Sequence, residues 1–246
     1  MKTALITGAN KGIGFEVARQ LLKKGFYVYL GCRDSVKGRQ AAIRLKEEGL
    51  NQLEAVTLDV TDLDSISAAR NEIGKRTAAL DVLINNAGIN GGAHPYTVAS
   101  ATADQYMAAF STNVVGTASV TNAFMDLLLN ASEPRIVNVS TSVGSLALQS
   151  DPNWPAYNFA KYVVYASSKA ALNMYTVHLA YELRDTKVKV NAVCPGLTAT
   201  DFTFFNGGQV SVAAERIIKY ALIDQHGPTG KFFSEETNPA AGEIPW

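Results

Sequence analysis

The stretch Thr7-Gly8-Ala9-Asn10-Lys11-Gly12-Ile13-Gly14 limits the fold most, because of what flanks it. Before it stands the apolar run Ala4-Leu5-Ile6; after it Phe15, Val17, Ala18, Leu21 and Leu22 recur at three- and four-residue steps. The first pattern fits a buried strand and the second an amphipathic helix, so the stretch reads as strand, glycine turn, helix. Glycines reach positive φ and leave no Cβ between backbone and ligand, while the first N–H groups of the helix have no partner within it. Those N–H groups and the positive end of the helix dipole make an anion site suited to a pyrophosphate. Turns also use glycine for purely structural reasons, so the residues after the other strands have to decide.

Strand-like and helix-like segments alternate through the 246 residues. Strands are expected at 26–31, 53–58, 80–84, 135–139 and 188–193, with a short seventh at 231–233. Helices are expected at 36–48, about 62–75, 103–110, 114–129 and 162–184. This rhythm implies a parallel sheet with helices on both faces. Right-handed crossovers then give an α/β, single-domain Rossmann fold over residues 1–246, doubly wound, with about seven strands in the order 3-2-1-4-5-6-7. Ligands of such sheets bind beyond the carboxyl ends of the strands.

The second strand runs into Gly31-Cys32-Arg33-Asp34, where a dinucleotide fold reads the adenine ribose. Gly31 and Cys32 offer no carboxylate to a 2′-hydroxyl, whereas Arg33 brings a guanidinium able to grip a phosphate, and Lys11 adds a second cation. Together they favour NADP(H) over NAD(H). Asp59-Val60 follows the third strand, placed either to reach the adenine amino group and cover the ring or to shape a turn. Asn85-Asn86-Ala87-Gly88 follows the fourth; asparagine can tie adjacent strand ends, and the small residues let a ribose approach.

With these motifs in order, and with Asn113, Ser140-Thr141-Ser142, Tyr165-x-x-x-Lys169 and Pro195-Gly196, the chain resembles the short-chain dehydrogenase/reductase family over nearly its whole length. The resemblance implies a hydride passed from a nicotinamide to a carbonyl carbon, with Tyr165 as general acid. Lys169 would lower the tyrosine pKa and bind the nicotinamide ribose, and the i, i+4 spacing puts both on one helix face. Tyr157 and Lys161 have the same spacing, but the small residues Ala166-Ser167-Ser168 beside Lys169 favour the second pair. The hydroxyl that orients the carbonyl falls on Thr141, with Ser142 the alternative at a one-residue shift. Asn113 matches the helix-interrupting asparagine whose carbonyl holds a water behind the lysine. Pro195 and Gly196 lead to Thr198 and Thr200, which would bind the carboxamide.

Asn10-Lys11, the residues around Arg33 and the 24-residue distance from Thr141 to Tyr165 resemble the NADPH-dependent carbonyl-reductase branch. Substrate loops are expected at about 90–100, 143–160 and 197–210, with Trp154, Tyr157, Phe202 and Phe205 lining a pocket for an apolar or aryl ketone. An alcohol dehydrogenase running oxidatively and a redox sensor without turnover are the rival readings.

Lys+Arg and Asp+Glu both number 22, so bulk charge points to neither nucleic acid nor an anionic membrane. His94, His178 and His226 are scattered without ligand spacing, which predicts no metal site. Cys32 and Cys194 each lie by an apolar run, as core thiols in a reducing compartment would. No apolar stretch approaches the ~20 residues of a membrane span, and the N-terminus enters the first strand directly, so a cytoplasmic location is expected. Apolar-faced helices at 114–129 and 162–183 would serve a homo-oligomer or cover the sheet.

Overall fold

The computed structural model describes residues 1–92 and 97–246. His94 and the middle of the loop expected at 90–100 lie outside the described residues. Strands β1 (Thr3–Thr7), β2 (Tyr27–Cys32), β3 (Leu53–Thr57), β4 (Val82–Asn85), β5 (Arg135–Val139), β6 (Lys189–Val193) and β7 (Lys231–Phe233) form one parallel sheet in the order β3-β2-β1-β4-β5-β6-β7. Every residue of β1 is buried, because helices cover both faces and leave no solvent side for polar alternation.

Helices α1 (Gly12–Lys23), α2 (Ser35–Glu47), α3 (Leu63–Gly74), α4 (Ala103–Phe110), α5 (Thr117–Ala123), α6 (Met125–Leu129), α7 (Leu146–Ser150), α8 (Val163–Glu182) and α9 (Val210–Ala221) complete the described fold. Ala4 and Ile6 join α1, α2 and α9 in one core, while Leu5 joins α3, α5, α6 and α8 in the other. Alternate β1 side chains thus feed opposite layers. Asp34 caps α2, Asp62 caps α3, and Thr102 with Gln105 closes a capping box on α4. Each such cap stabilises its helix by about 1 kcal/mol.

The single helix expected at 114–129 is broken. A π-helical turn, Ser111–Gly116, precedes α5, and Phe124 (φ −100°, ψ 4°) separates α5 from α6. Thr117 and Thr121 donate their hydroxyls to the carbonyls of Asn113 and Thr117, side-chain bonds that bend helices. Helix α9 is also new. Its apolar stripe Ala213, Ala214, Ile217, Ile218, Ala221 has helical spacing and packs on the α1 side of the sheet. No helix among the described residues is long and apolar enough to cross a membrane.

Candidate active site

The strand order reverses between β1 and β4, and their carboxyl ends open a crevice there. The glycine turn forms its floor. Gly8 (φ +67°) and Gly12 (φ +56°) take conformations other residues avoid. Gly14 meets a different need: a Cβ there would lie 2.5 Å from Asn86 Nδ2 and 2.6 Å from Gly8 O. Helix α1 has no side-chain cap and no acidic residue in its first turn, and its N–H groups at Gly12, Ile13 and Gly14 have no partner among the described residues. Asn10, like Ile13, is half-buried in the turn.

Asn86 fastens the switch point. Its N–H and that of Ala87 donate to Thr7 Oγ1 at 3.0 and 2.9 Å, and its Nδ2 donates to Thr7 O at 2.9 Å. The side-chain nitrogen therefore ties strand ends. Gly88 sits against Asn113 and Lys169, where a Cβ would be 3.2 Å from Asn113 Oδ1 and 3.6 Å from Lys169 Nζ.

At the adenosine end Arg33 is exposed, without an ion-pair or hydrogen-bond partner among the described residues. The neighbouring Asp34 is engaged by the Val36 and Lys37 N–H groups, which hold its carboxyl below the usual range. Asp59 Oδ1 accepts from Thr61 N and Oγ1 at 2.9 and 2.7 Å, the turn role; its Oδ2 has no such bond, and Val60 beside it is buried. Lys11 is not held beside Arg33. Its Nζ pairs with Asp201 Oδ2 at 2.6 Å, from a segment 190 residues on.

Tyr165 and Lys169 lie one turn apart near the start of α8. Lys169 is 4% exposed, donates to Val139 O at 2.7 Å, and holds its Nζ 5.8 Å from the Tyr165 ring centre. Asn113, fully buried in the π turn, bonds the Ile89 backbone through both amide atoms and donates to Ser168 Oγ at 2.9 Å. Ser168 Oγ donates to Tyr165 O at 2.8 Å, so the π turn grips the Tyr165–Lys169 turn of α8. The sequence pattern contains Ser168 but assigns it no such task. The Asn113 carbonyl accepts from Thr117 Oγ1 at 3.1 Å.

Part of the Tyr165 side chain stays exposed, yet burial around its hydroxyl pushes its pKa up. Burial also pulls Lys169 down to about 8. Burial thus raises the tyrosine in the protein alone, whereas the resemblance implies that Lys169 lowers it. The phenol stays protonated through the neutral range, as a proton donor must.

Among the hydroxyls, Ser140 is taken, donating to Asn173 Oδ1 at 2.6 Å. Thr141 Oγ1 accepts from Val143 N at 3.3 Å and keeps its proton to donate; Ser142 is buried and opens the 3₁₀ turn Ser142–Gly144. Tyr157 and Lys161 precede α8. Lys161 Nζ lies 3.9 Å from the Tyr157 ring centre and bonds Gln149 O and Oε1, both at 2.9 Å, which makes the pair a loop staple.

The family model for short chain dehydrogenase matches residues 2–206. The chain is a short-chain dehydrogenase/reductase. Salutaridine reductase of Papaver bracteatum is 30% identical, covering 95% of this chain and 94% of its own. (-)-Isopiperitenone reductase of Mentha piperita is 33% identical over 95% and 96%. The structure of NADPH-bound carbonyl reductase from chicken fatty liver superposes with a TM-score of 0.85 at 27% identity, covering 100% of this chain and 99% of its own. Within the family the chain is carbonyl-reductase-like. The alignment with salutaridine reductase spans 305 positions against 246 residues, so at least 59 of them have no residue in this dehydrogenase.

The substrate side of the dehydrogenase is unevenly filled. Phe202 stands over Tyr165, ring centres 5.4 Å apart. Phe205 is exposed, and so is Phe204 beside it; both are left-handed, φ 60° and 51°. Trp154 is buried, which places it in the packing of its own loop, and Tyr157 is half-buried beside Lys161. After β6, Pro195 and Gly196 lead into a loop closed at its base by Ala199 N to Gly208 O and Gly208 N to Leu197 O. Thr198 is buried, and Thr200 Cγ2 lies 3.4 Å from where a Gly12 Cβ would stand, so this loop reaches the glycine turn.

Proposed function

We propose that this protein reduces a ketone or aldehyde carbonyl to an alcohol with NADPH, through Tyr165 as general acid. The observation that carries this reading is the continuity of the site: the Tyr165–Lys169 turn of α8 joins, through Lys169 and Asn113 beside Gly88, the crevice floored by the glycine turn. The residues fit the cofactor. N–H groups at Gly12, Ile13 and Gly14 and an Arg33 guanidinium that have no partner among the described residues, with no acid in the first turn of α1, are the donor set for a pyrophosphate and a 2′-phosphate. The neighbouring carbonyl reductase was crystallised with NADPH, which supports the same choice here. Gly8 and Asn10 complete the turn, Lys11 adds charge, Asp59 and Val60 would take the adenine, and Ala87 and Gly88 admit the ribose. Pro195, Gly196, Thr198 and Thr200 would hold the carboxamide.

Bound NADPH supplies the hydride for the carbonyl carbon. Tyr165 donates its hydroxyl proton to the oxygen, and its raised pKa keeps that proton available. Thr141 donates a second hydrogen bond that orients the carbonyl, with Ser142 as the neighbouring alternative. Lys169, with a pKa of about 8, carries charge at neutral pH and stabilises the phenolate left behind. The Asn113 carbonyl would hold a water beside Lys169 for reprotonation. Phe202 over Tyr165, with Phe205 near it in sequence, favours an apolar or aryl ketone. Behind the oxidative direction stand the related (+)-neomenthol dehydrogenases of Capsicum annuum, at 31% identity, and of Arabidopsis thaliana, at 33%.

NADPH oxidation against a panel of bulky aryl ketones, with NADH and alcohols as the opposing arms, tests the reading. Turnover of aryl ketones with NADPH is expected. Activity only with NADH, only with alcohols, or with no carbonyl compound at all would overturn it.

A further inference from the structure

The backbone of Pro195-Gly196-Leu197 is gripped by two charged side chains from elsewhere in the chain. Arg216 on α9 donates from Nη1 to Pro195 O at 2.7 Å. Glu236, three residues beyond β7, accepts the Leu197 N–H on both carboxylate oxygens, each at 3.1 Å. The two side chains also face each other, with Arg216 Nη1 4.0 Å from Glu236 Oε1. Gly196 lies between them at φ +87°, where a Cβ would stand 2.3 Å from Arg216 Nη1 and 2.7 Å from Glu236 Oε1. Glycine is needed here twice over, for its left-handed backbone and for the room the ion pair occupies.

An ordinary surface loop would give the Leu197 N–H to water, since the Leu197 side chain is 58% exposed. A charge-assisted, two-oxygen bond from a residue 39 positions on fixes it in one orientation instead. That orientation is passed along. Thr198 is buried and its Oγ1 donates to Gly196 O at 3.0 Å, so the gripped tripeptide sets the plane of the residue after it.

We infer that Glu236 and Arg216 are positioning residues for hydride transfer. They hold the Pro195–Leu197 backbone so that Thr198 presents its main chain to the nicotinamide carboxamide in one orientation. This rests on the proposed NADPH-dependent reduction. Neither residue needs to touch the substrate, and neither belongs to the glycine turn or to the Tyr165–Lys169 turn. Without Glu236 the Leu197 N–H turns to water, Arg216 loses its anion, and the ring is held more loosely over the carbonyl carbon.

The test uses the full chain, NADPH and an aryl ketone that the wild type reduces. Glu236→Ala should lower kcat on the order of 10-fold, the scale of a small misplacement of reacting groups, with the ketone KM little changed. Because hydride transfer then becomes slower than product release, the primary isotope effect with deuterium at the transferred C4 position should rise. Glu236→Gln, whose amide oxygen still accepts from Leu197, should recover most of kcat and the wild-type isotope effect. Wild-type kcat in Glu236→Ala overturns the inference. So does a loss that follows the folded fraction, leaves the isotope effect unchanged and is not rescued by glutamine. A wild type that oxidises no NADPH with any ketone breaks the functional reading at the outset, and the inference falls with it.

Discussion

The two ends of the cofactor crevice use the same backbone conformation on opposite terms. At the floor, left-handed φ falls on Gly8 and Gly12, where it is free of strain, and Asn86 bolts the turn to the end of β4. In the loop after β6 it falls on Phe204 and Phe205, where it costs on the order of 1–2 kcal/mol per residue. Across the crevice that loop is tied by an exposed Lys11–Asp201 pair, which solvent and salt screen. The floor is built to stay. The loop is held in strain with its phenylalanines in water, an arrangement that contact with an apolar substrate would relieve. Under the proposed function, this comparison assigns cofactor affinity to the floor, the chemistry to α8 and the choice of substrate to the loop.

Tyr165→Phe puts the separation to its severest trial. Ketone reduction should fall by about 10²–10⁴-fold, the worth of a general acid, while NADPH titrated against the variant binds as before. Loss of NADPH binding together with turnover would show that the floor and α8 are not separate.

Lys169 separates chemistry from stability. With a folded pKa of about 8 against 10.5 unfolded, it is a buried cation whose charge opposes folding. Below pH 8 both states hold the proton and the penalty is present in full. Between about 8 and 10.5 the unfolded chain holds a proton the folded chain has released, so this residue's contribution to stability rises with pH. The window amounts to about 3 kcal/mol. Lys169→Met should therefore raise the urea midpoint at pH 7 while abolishing turnover, and the wild-type advantage of alkaline over neutral pH should shrink in the variant. A lower midpoint at pH 7 would show that the Val139 bond outweighs desolvation.

Gly14→Ala attacks the floor alone. A methyl 2.5 Å from Asn86 Nδ2 and 2.6 Å from Gly8 O must displace backbone, at about 1–3 kcal/mol of stability and with weaker NADPH binding. Thermal melts with and without NADPH would show both effects, and an unchanged NADPH shift would dissolve the contrast between the ends. Phe205→Gly should have the smallest effect and the opposite sign. Removing left-handed strain stabilises the chain by up to about 1 kcal/mol, while kcat/KM for aryl ketones drops and NADPH affinity holds.

Much of this was legible in the chain because it is local. The strand, glycine turn and helix are written within residues 3–23, and the strand order follows from alternation and handedness. The interruption at Asn113 is legible through the family resemblance, but the second break, at Phe124, is not, because the apolar spacing of 114–129 is that of a continuous helix. Spacing alone could not separate Tyr157–Lys161 from Tyr165–Lys169. What separates them in space is that α8 begins at Val163, between the two pairs. Lys11 was read with Arg33, its neighbour across one crossover, but it pairs with Asp201, a partner no local pattern announces. The direction of the Tyr165 pKa depends on enclosure by distant segments.

The π turn at Ser111–Gly116 carries a consequence for changes of chain length. A π turn holds one residue more than the α-helical turn it replaces, so deleting one residue there would convert it to ordinary helix. Downstream residues would keep their faces, because the shorter turn still closes once, so buried Val120 and Phe124 would stay on the sheet. The widened backbone that seats Asn113 against Ile89 would be lost instead. Point substitutions at exposed Val115 leave that turn alone. In this stretch length guards the site rather than the fold: a one-residue deletion should leave a folded chain without turnover, where replacements of Val115 keep both.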